Sequence, residues 1–191
     1  MGRTYDMTKR ARSAARTTEA IAEATETLLT DSSLSEITLK EIAEKAGVTV
    51  QTVLRHMSSL EGCLQAVAER VFERVKKQRE SMEPGNVSVA INNLITHYEK
   101  EGKLILNLLA REQSGDALAT DLTNRGRAYH REWVRKLLVP ATAENRTNQI
   151  DALVAATDIY IWKLLRFDIG RTRKATETVM MLMVQKLTEA I

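Results

Sequence analysis

The sequence predicts an all-α chain in two parts, and three observations carry that prediction. Apolar residues recur at helical spacing in both halves of the 191 positions. Aromatic residues make up 4% of the chain and there are two prolines, a composition poor in the residues that build β-sandwiches and barrels. Pro84-Gly85 is the clearest breaker and divides the chain into residues 1–80 and 84–191.

Residues 1–16 carry Arg3, Lys9, Arg10, Arg12 and Arg16 against Asp6, with too little apolar content to pack. They read as a mobile basic arm, which on a DNA-binding protein lies along phosphates or enters a minor groove, and otherwise is a solvated tail. A first helix is expected from near Arg12 to Leu29, with Ala15, Ile21, Ala22, Ala24, Leu28 and Leu29 inward and Glu19, Glu23 and Glu26 on the wet face. A polar loop, Thr30 to Glu36, follows.

The stretch from Ile37 to His56 reads as two short helices joined by a tight turn. Thr38 with Glu41 forms a capping box, and Ile37 with Ile42 is placed as a hydrophobic staple. Gly47 suits the left-handed residue that ends a helix, Val48 plugs the corner, and Thr49 caps the second helix. Small Ala43 lets the helices approach closely, as a helix-turn-helix requires. The outer face of the second helix offers Thr49, Val50, Gln51, Thr52 and Arg55, a mixture of donors, acceptors and methyls suited to base edges and phosphates.

A second capping box, Ser58 with Glu61, is expected to open a long helix with Leu64, Val67, Ala68, Val71, Phe72 and Val75 inward. Its closing cluster, Arg74, Lys76, Lys77 and Arg79, reads as cations placed at a helix C-terminus. Five further helices are expected at about 87–101, 103–113, 116–138, 146–168 and 172–190, punctuated by Gly102, Gly115, Pro140 and Gly170. In the last of these, Val179 to Val184 is apolar on every side, so a partner subunit is expected to cover it in an isologous four-helix bundle, the alternative being a single helix deeply buried in a monomer. Ile159, Trp162, Leu165, Met180, Met183 and Leu187 are the expected dimer contacts.

The net charge of +3 permits nucleic-acid binding without requiring it. A lone cysteine, Cys63, excludes an internal disulfide framework and a Cys-rich zinc site. No apolar run approaches a membrane span and the start is polar and basic, which implies a soluble cytoplasmic chain. His56, His97 and His130 do not stand at metal-ligand spacing, and the eight glycines form no phosphate-cradling loop. No catalytic residue, metal or cofactor is therefore expected. Asn93, His97, Tyr98, His130, Trp133 and Trp162, with Tyr160, are candidates to line a small-molecule pocket, aromatic with a few polar groups.

The arrangement resembles the TetR family of bacterial transcriptional repressors. Thr38–Leu64 looks like that family's DNA-binding motif. The second half is similar in helix pattern and in the run Trp162-Lys-Leu-Leu-Arg-Phe-Asp-Ile-Gly-Arg171. The resemblance implies a homodimer that binds a palindromic operator and releases it when a small-molecule effector occupies the C-terminal domain. The implied fold is an N-terminal three-helix helix-turn-helix domain followed by a helical ligand-binding and dimerisation domain. Thr38, Lys40, Thr49, Val50, Gln51, Thr52, Arg55 and His56 would then meet double-stranded DNA. The chain departs from the family pattern at Leu54, where a phosphate-contacting tyrosine is common, at Met57 for an aromatic, and at Leu60 for a lysine. The backbone clamp would fall to Arg55, His56 and the basic arm. The long helix after Ser58 would be the lever between the parts. The alternatives are a constitutive DNA-binding protein without effector, and a helical small-molecule-binding protein or enzyme.

Overall fold

The computed structural model describes residues 7–31, 37–80, 82–139 and 147–189, and these are helical apart from short connections. Contacts group the chain into two compact units, Met1–Val71 and Phe72–Ile191. The division falls inside a helix, and Pro84-Gly85 forms the turn that follows that helix.

The first unit contains α1 (Met7–Asp31), α2 (Leu39–Ala46), α3 (Val50–Met57) and the opening turns of α4 (Leu60–Glu80). Ile21, Ala22, Leu29, Ile42, Ala43, Val53, Cys63, Leu64 and Val67 are buried and form its core. Helix α1 starts earlier than expected: Arg10, Arg12 and Arg16 are exposed on a helix and not on an arm, and Ala15 is exposed as well. Arg3, Asp6 and most of the loop before Ile37 lie outside the described residues. The acidic side of α1 is not simply wet. Glu19, Glu23 and Glu26 converge on Arg70 of α4, which pins the two helices together.

The joint between α3 and α4 also departs from the expected form. Ser58 has φ 68° and ψ −41°, the only positive φ of a non-glycine among the described residues. The Ser59 amide donates to the Met57 carbonyl at 2.8 Å, so the chain makes a three-residue γ-turn of the strained, positive-φ kind. Ser59, not Ser58, then opens α4 by accepting from the Gly62 amide at 3.2 Å.

The second unit is built on α5 (Val87–Gln113), which packs against α6 (Ala117–Leu138), α8 (Ile159–Lys163) and α9 (Arg173–Glu189). Helix α7 (Thr147–Ala156) bridges α6 and α9. Ile91, Leu94, Ile95, Val134, Leu153, Met180 and Val184 are fully enclosed at its centre. Two expected boundaries move. Gly102 does not end a helix: it lies in the middle of α5, where a Cβ would sit 2.4 Å from the Trp162 ring. The helix expected over 146–168 is broken at Thr157-Asp158. The Thr157 carbonyl accepts from the Tyr98 hydroxyl at 2.9 Å, and Asp158 caps α8 by accepting from the Tyr160 amide at 2.8 Å. Helix α8 runs on into a wider, π-type turn over Leu164–Asp168. Among the described residues no helix is long and apolar enough to cross a membrane.

Candidate nucleic-acid interface and buried polar cluster

The helix-turn-helix is assembled by local chemistry. Thr38 donates its amide to the Glu41 carboxylate at 2.8 Å, and its hydroxyl accepts from the Glu41 amide at 3.3 Å, so the capping box is complete. The Thr38 hydroxyl also hydrogen-bonds to that carboxylate, and together these bonds hold Glu41 below the usual carboxylate range. At the other end Gly47 adopts φ 66°, and the amides of Gly47 and Val48 return to the carbonyls of Glu44 and Ala43. That reversal satisfies the last carbonyls of α2 and aims the chain into α3. Thr49 caps α3 by accepting from the Thr52 amide at 3.2 Å.

Val53 and Met57 face the core of the unit. Thr49, Val50, Gln51 and Arg55 are exposed on the outside of α3, and Lys40 is exposed on α2. The structure separates the remaining candidates from these. The Thr49 and Thr52 hydroxyls lie 3.0 Å apart and are occupied with each other and with the cap. His56 is half-buried, its Nδ1 3.0 Å from the Thr18 hydroxyl of α1, so it braces α3 against α1.

Sequence reasoning missed a residue at this joint. A Cβ on Gly62 would lie 1.8 Å from the Met57 carbonyl oxygen, so α4 can leave α3 at this angle only with glycine there. Cys63 beside it is fully buried, and burial pushes its thiol up in pKa, away from nucleophilic use.

In the second unit the pocket candidates divide into two groups. His97, Tyr98, His130 and Trp133 surround a residue that the sequence assigned to a helix C-terminus: Arg79, which is 5% exposed. Its guanidinium carbon lies 4.9 Å from the Trp133 ring centre and 5.7 Å from that of Tyr129. Thr157 fixes the tautomer of His130. Its hydroxyl donates to the Leu153 carbonyl at 2.6 Å and so accepts from His130 Nε2–H at 2.9 Å. The lone pair of Nδ1 then faces Arg79 Nη1 at 3.5 Å. Burial, with Arg79 beside it, pushes His130 down to about 3, and the same causes hold His97 well below the usual imidazole range. Both rings are neutral at pH 7.

Trp162 belongs to the other group. It packs on Gly102, Tyr98 and Phe167, and its indole N–H donates to Glu99 at 2.9 Å. Arg166 also clamps Glu99, at 2.6 and 2.9 Å, and holds that carboxyl below its ordinary pKa. Tyr160 points away from the cluster's chemistry, being 46% exposed. Asn93 is tied to the neighbouring turn of α4 through Gln78.

The expected dimer contacts need correction. Ile159, Trp162, Leu165 and Met180 are between 0% and 8% exposed and are consumed by the chain's own core. Met183 and Leu187 are half-buried. Among the described residues of the second unit the large apolar side chains left uncovered are Val89 on α5, Tyr160, Leu164, Phe167 and Ile169 on or just after α8 and its turn, and Leu182 on α9.

No family model matches the sequence, and no curated protein matches it. Solved structures do. A TetR-family transcriptional regulator from Streptomyces coelicolor superposes with TM-score 0.72 at 13% identity, over 90% of this chain and 78% of that one. A protein from Rhodococcus sp. assigned to the TetR-family transcriptional regulators gives TM-score 0.64 at 14% identity, over 90% and 98%. The multidrug binding protein EbrR, complexed with imidazole, gives 0.60 at 15% identity, over 96% and 93%. The all-helical architecture with its N-terminal helix-turn-helix is therefore the fold of the TetR-family transcriptional regulators.

Proposed function

We propose that the chain is a DNA-binding transcriptional regulator that works as a homodimer on a palindromic operator and is released by a small-molecule effector. One observation carries the reading: a fully capped helix-turn-helix leaves Thr49, Val50, Gln51 and Arg55 uncovered along the outside of its second helix. That side has the dimensions and chemistry to enter a major groove, with Gln51 and Arg55 as the base-reading groups and Lys40 toward phosphate. Arg10, Arg12 and Arg16 extend the basic surface along α1. His56 and Thr38 act as positioning residues.

The second copy is recruited through Tyr160, Leu164, Phe167 and Leu182. Their exposure on adjoining helices fits a self-complementary apolar face. The fold is shared with a multidrug binding protein complexed with imidazole, which supports a small-molecule effector. Helix α4 supplies Cys63 and Leu64 to one core and Arg79 to the other, so it is the covalent route by which effector binding reaches DNA.

The test is selection of bound sequences from a random duplex pool. Enrichment of an inverted repeat with half-sites about one turn, ~34 Å, apart is expected. Arg55→Ala should weaken binding to that sequence by about 1–3 kcal/mol and relax preference at one base pair. A pool that enriches nothing sinks the reading.

A further inference from the structure

The one buried cation among the described residues, Arg79, lacks a counter-charge. Arg70 has three carboxylates around it, and Arg74 makes two bonds to Glu101, at 3.0 and 2.7 Å. Arg79 is more deeply buried than either, yet the groups that reach its guanidinium are Tyr98, Tyr129, His130 and Trp133, all uncharged at neutral pH. No Asp or Glu among the described residues pairs with it. Buried charges are ordinarily paired, because an ion taken from water without a partner is strongly disfavoured. Ring faces offset only part of that cost.

The surroundings are incomplete in the same sense. Four buried polar atoms make no hydrogen bond: Arg79 Nε, Trp133 Nε1, His97 Nδ1 and Asn93 Oδ1. The first two are obligate donors. The Arg79 Nε–H and the Trp133 indole N–H, both unused and set among aromatic side chains, call for a ligand that accepts hydrogen bonds, carries negative charge and has an apolar body. We propose that the second unit binds an aromatic carboxylate, its carboxylate accepting from the unused donors Arg79 Nε and Trp133 Nε1. This rests on the effector reading above and gives it a chemical class. The pairing supplies the missing counter-charge, and bidentate geometry suits guanidinium over any other cation.

The test is isothermal titration of the full-length protein with 1-naphthoate, its neutral amide 1-naphthamide, and 1-naphthylmethylammonium. Naphthoate should bind at least tenfold more tightly than the amide, and the ammonium compound should not bind. Arg79→Met, which replaces the charge with an apolar chain of similar length, should abolish the preference and leave naphthamide affinity within a factor of three. Arg79→Lys should retain part of it, which guards against a general loss of folding in the first variant. Equal affinity for naphthoate and the amide, or a preference that survives Arg79→Met, overturns the anion assignment and leaves the effector reading standing. Failure of all three compounds to bind at millimolar concentration overturns both.

Discussion

Neutral imidazoles in the second unit tie stability to pH. His130 is held near 3 in the folded protein, against about 6.5 in an unfolded chain, and His97 is depressed in the same direction. As pH falls below about 6.5 the unfolded chain takes up protons that the folded protein refuses, so stability present at pH 7 is lost progressively toward pH 3. His130→Gln keeps a donor for Thr157 and removes one of these sites. Around pH 5 its stability should fall less steeply than the parent's, by about 1.4 kcal/mol per pH unit. Urea midpoints at pH 7, 6 and 5 check this, and parallel lines for the two proteins would refute it. The histidines and Trp133 were legible as candidates because their residue types are scarce in the chain. Arg79 was not, since a basic residue in the last turn of a helix already has a sufficient local reason to be there. What turns it inward is the aromatic surface of α6, about 50 positions away.

At the scale of the helices, the joint between α3 and α4 is the most constrained place in the first unit. Gly62→Ala forces a methyl against the Met57 carbonyl, and backbone cannot yield as a flexible side chain does. The variant should lose about 1–3 kcal/mol of stability and, because α3 must tilt, most of the DNA affinity proposed above. Gly126→Ala is the matched control: nothing lies within 4 Å of its added Cβ, so it should gain up to about 1 kcal/mol. Thermal melts and gel shifts of both variants decide the matter; equal behaviour of the two would defeat the claim. The caps of α2 and α3 could be read in the chain because each is completed within four residues. The continuity of α5 and the break at Thr157 could not. Gly102 is explained by Trp162, and the Thr157 carbonyl by Tyr98, partners some 60 residues distant.

For the molecule as a whole, the pattern Val179 to Val184 promised more apolar surface than one chain needs. Met180 and Val184 are fully enclosed, Val179, Met181 and Met183 are half-buried, and Leu182 remains 54% exposed. Sequence periodicity cannot tell which side of an all-apolar helix its own chain will claim, and here the chain buries Met180 and leaves Leu182 out. Phe167, also 54% exposed, extends the uncovered face. On the proposed homodimer, Leu182→Glu combined with Phe167→Glu should leave a monomer; Leu182 is exposed, while Phe167 meets Trp162 edge-on, so a small fall in thermal midpoint is expected as well. Light scattering after size exclusion measures this, and a variant that stays dimeric would move the interface elsewhere.

Both tryptophans, Trp133 and Trp162, sit in the second unit, each 5% exposed or less. Indole emission therefore reports directly on the second unit. A denaturation curve followed by that signal and one followed by helical ellipticity will coincide only if both units unfold in a single step. Any gap between them measures how independently the first unit comes apart.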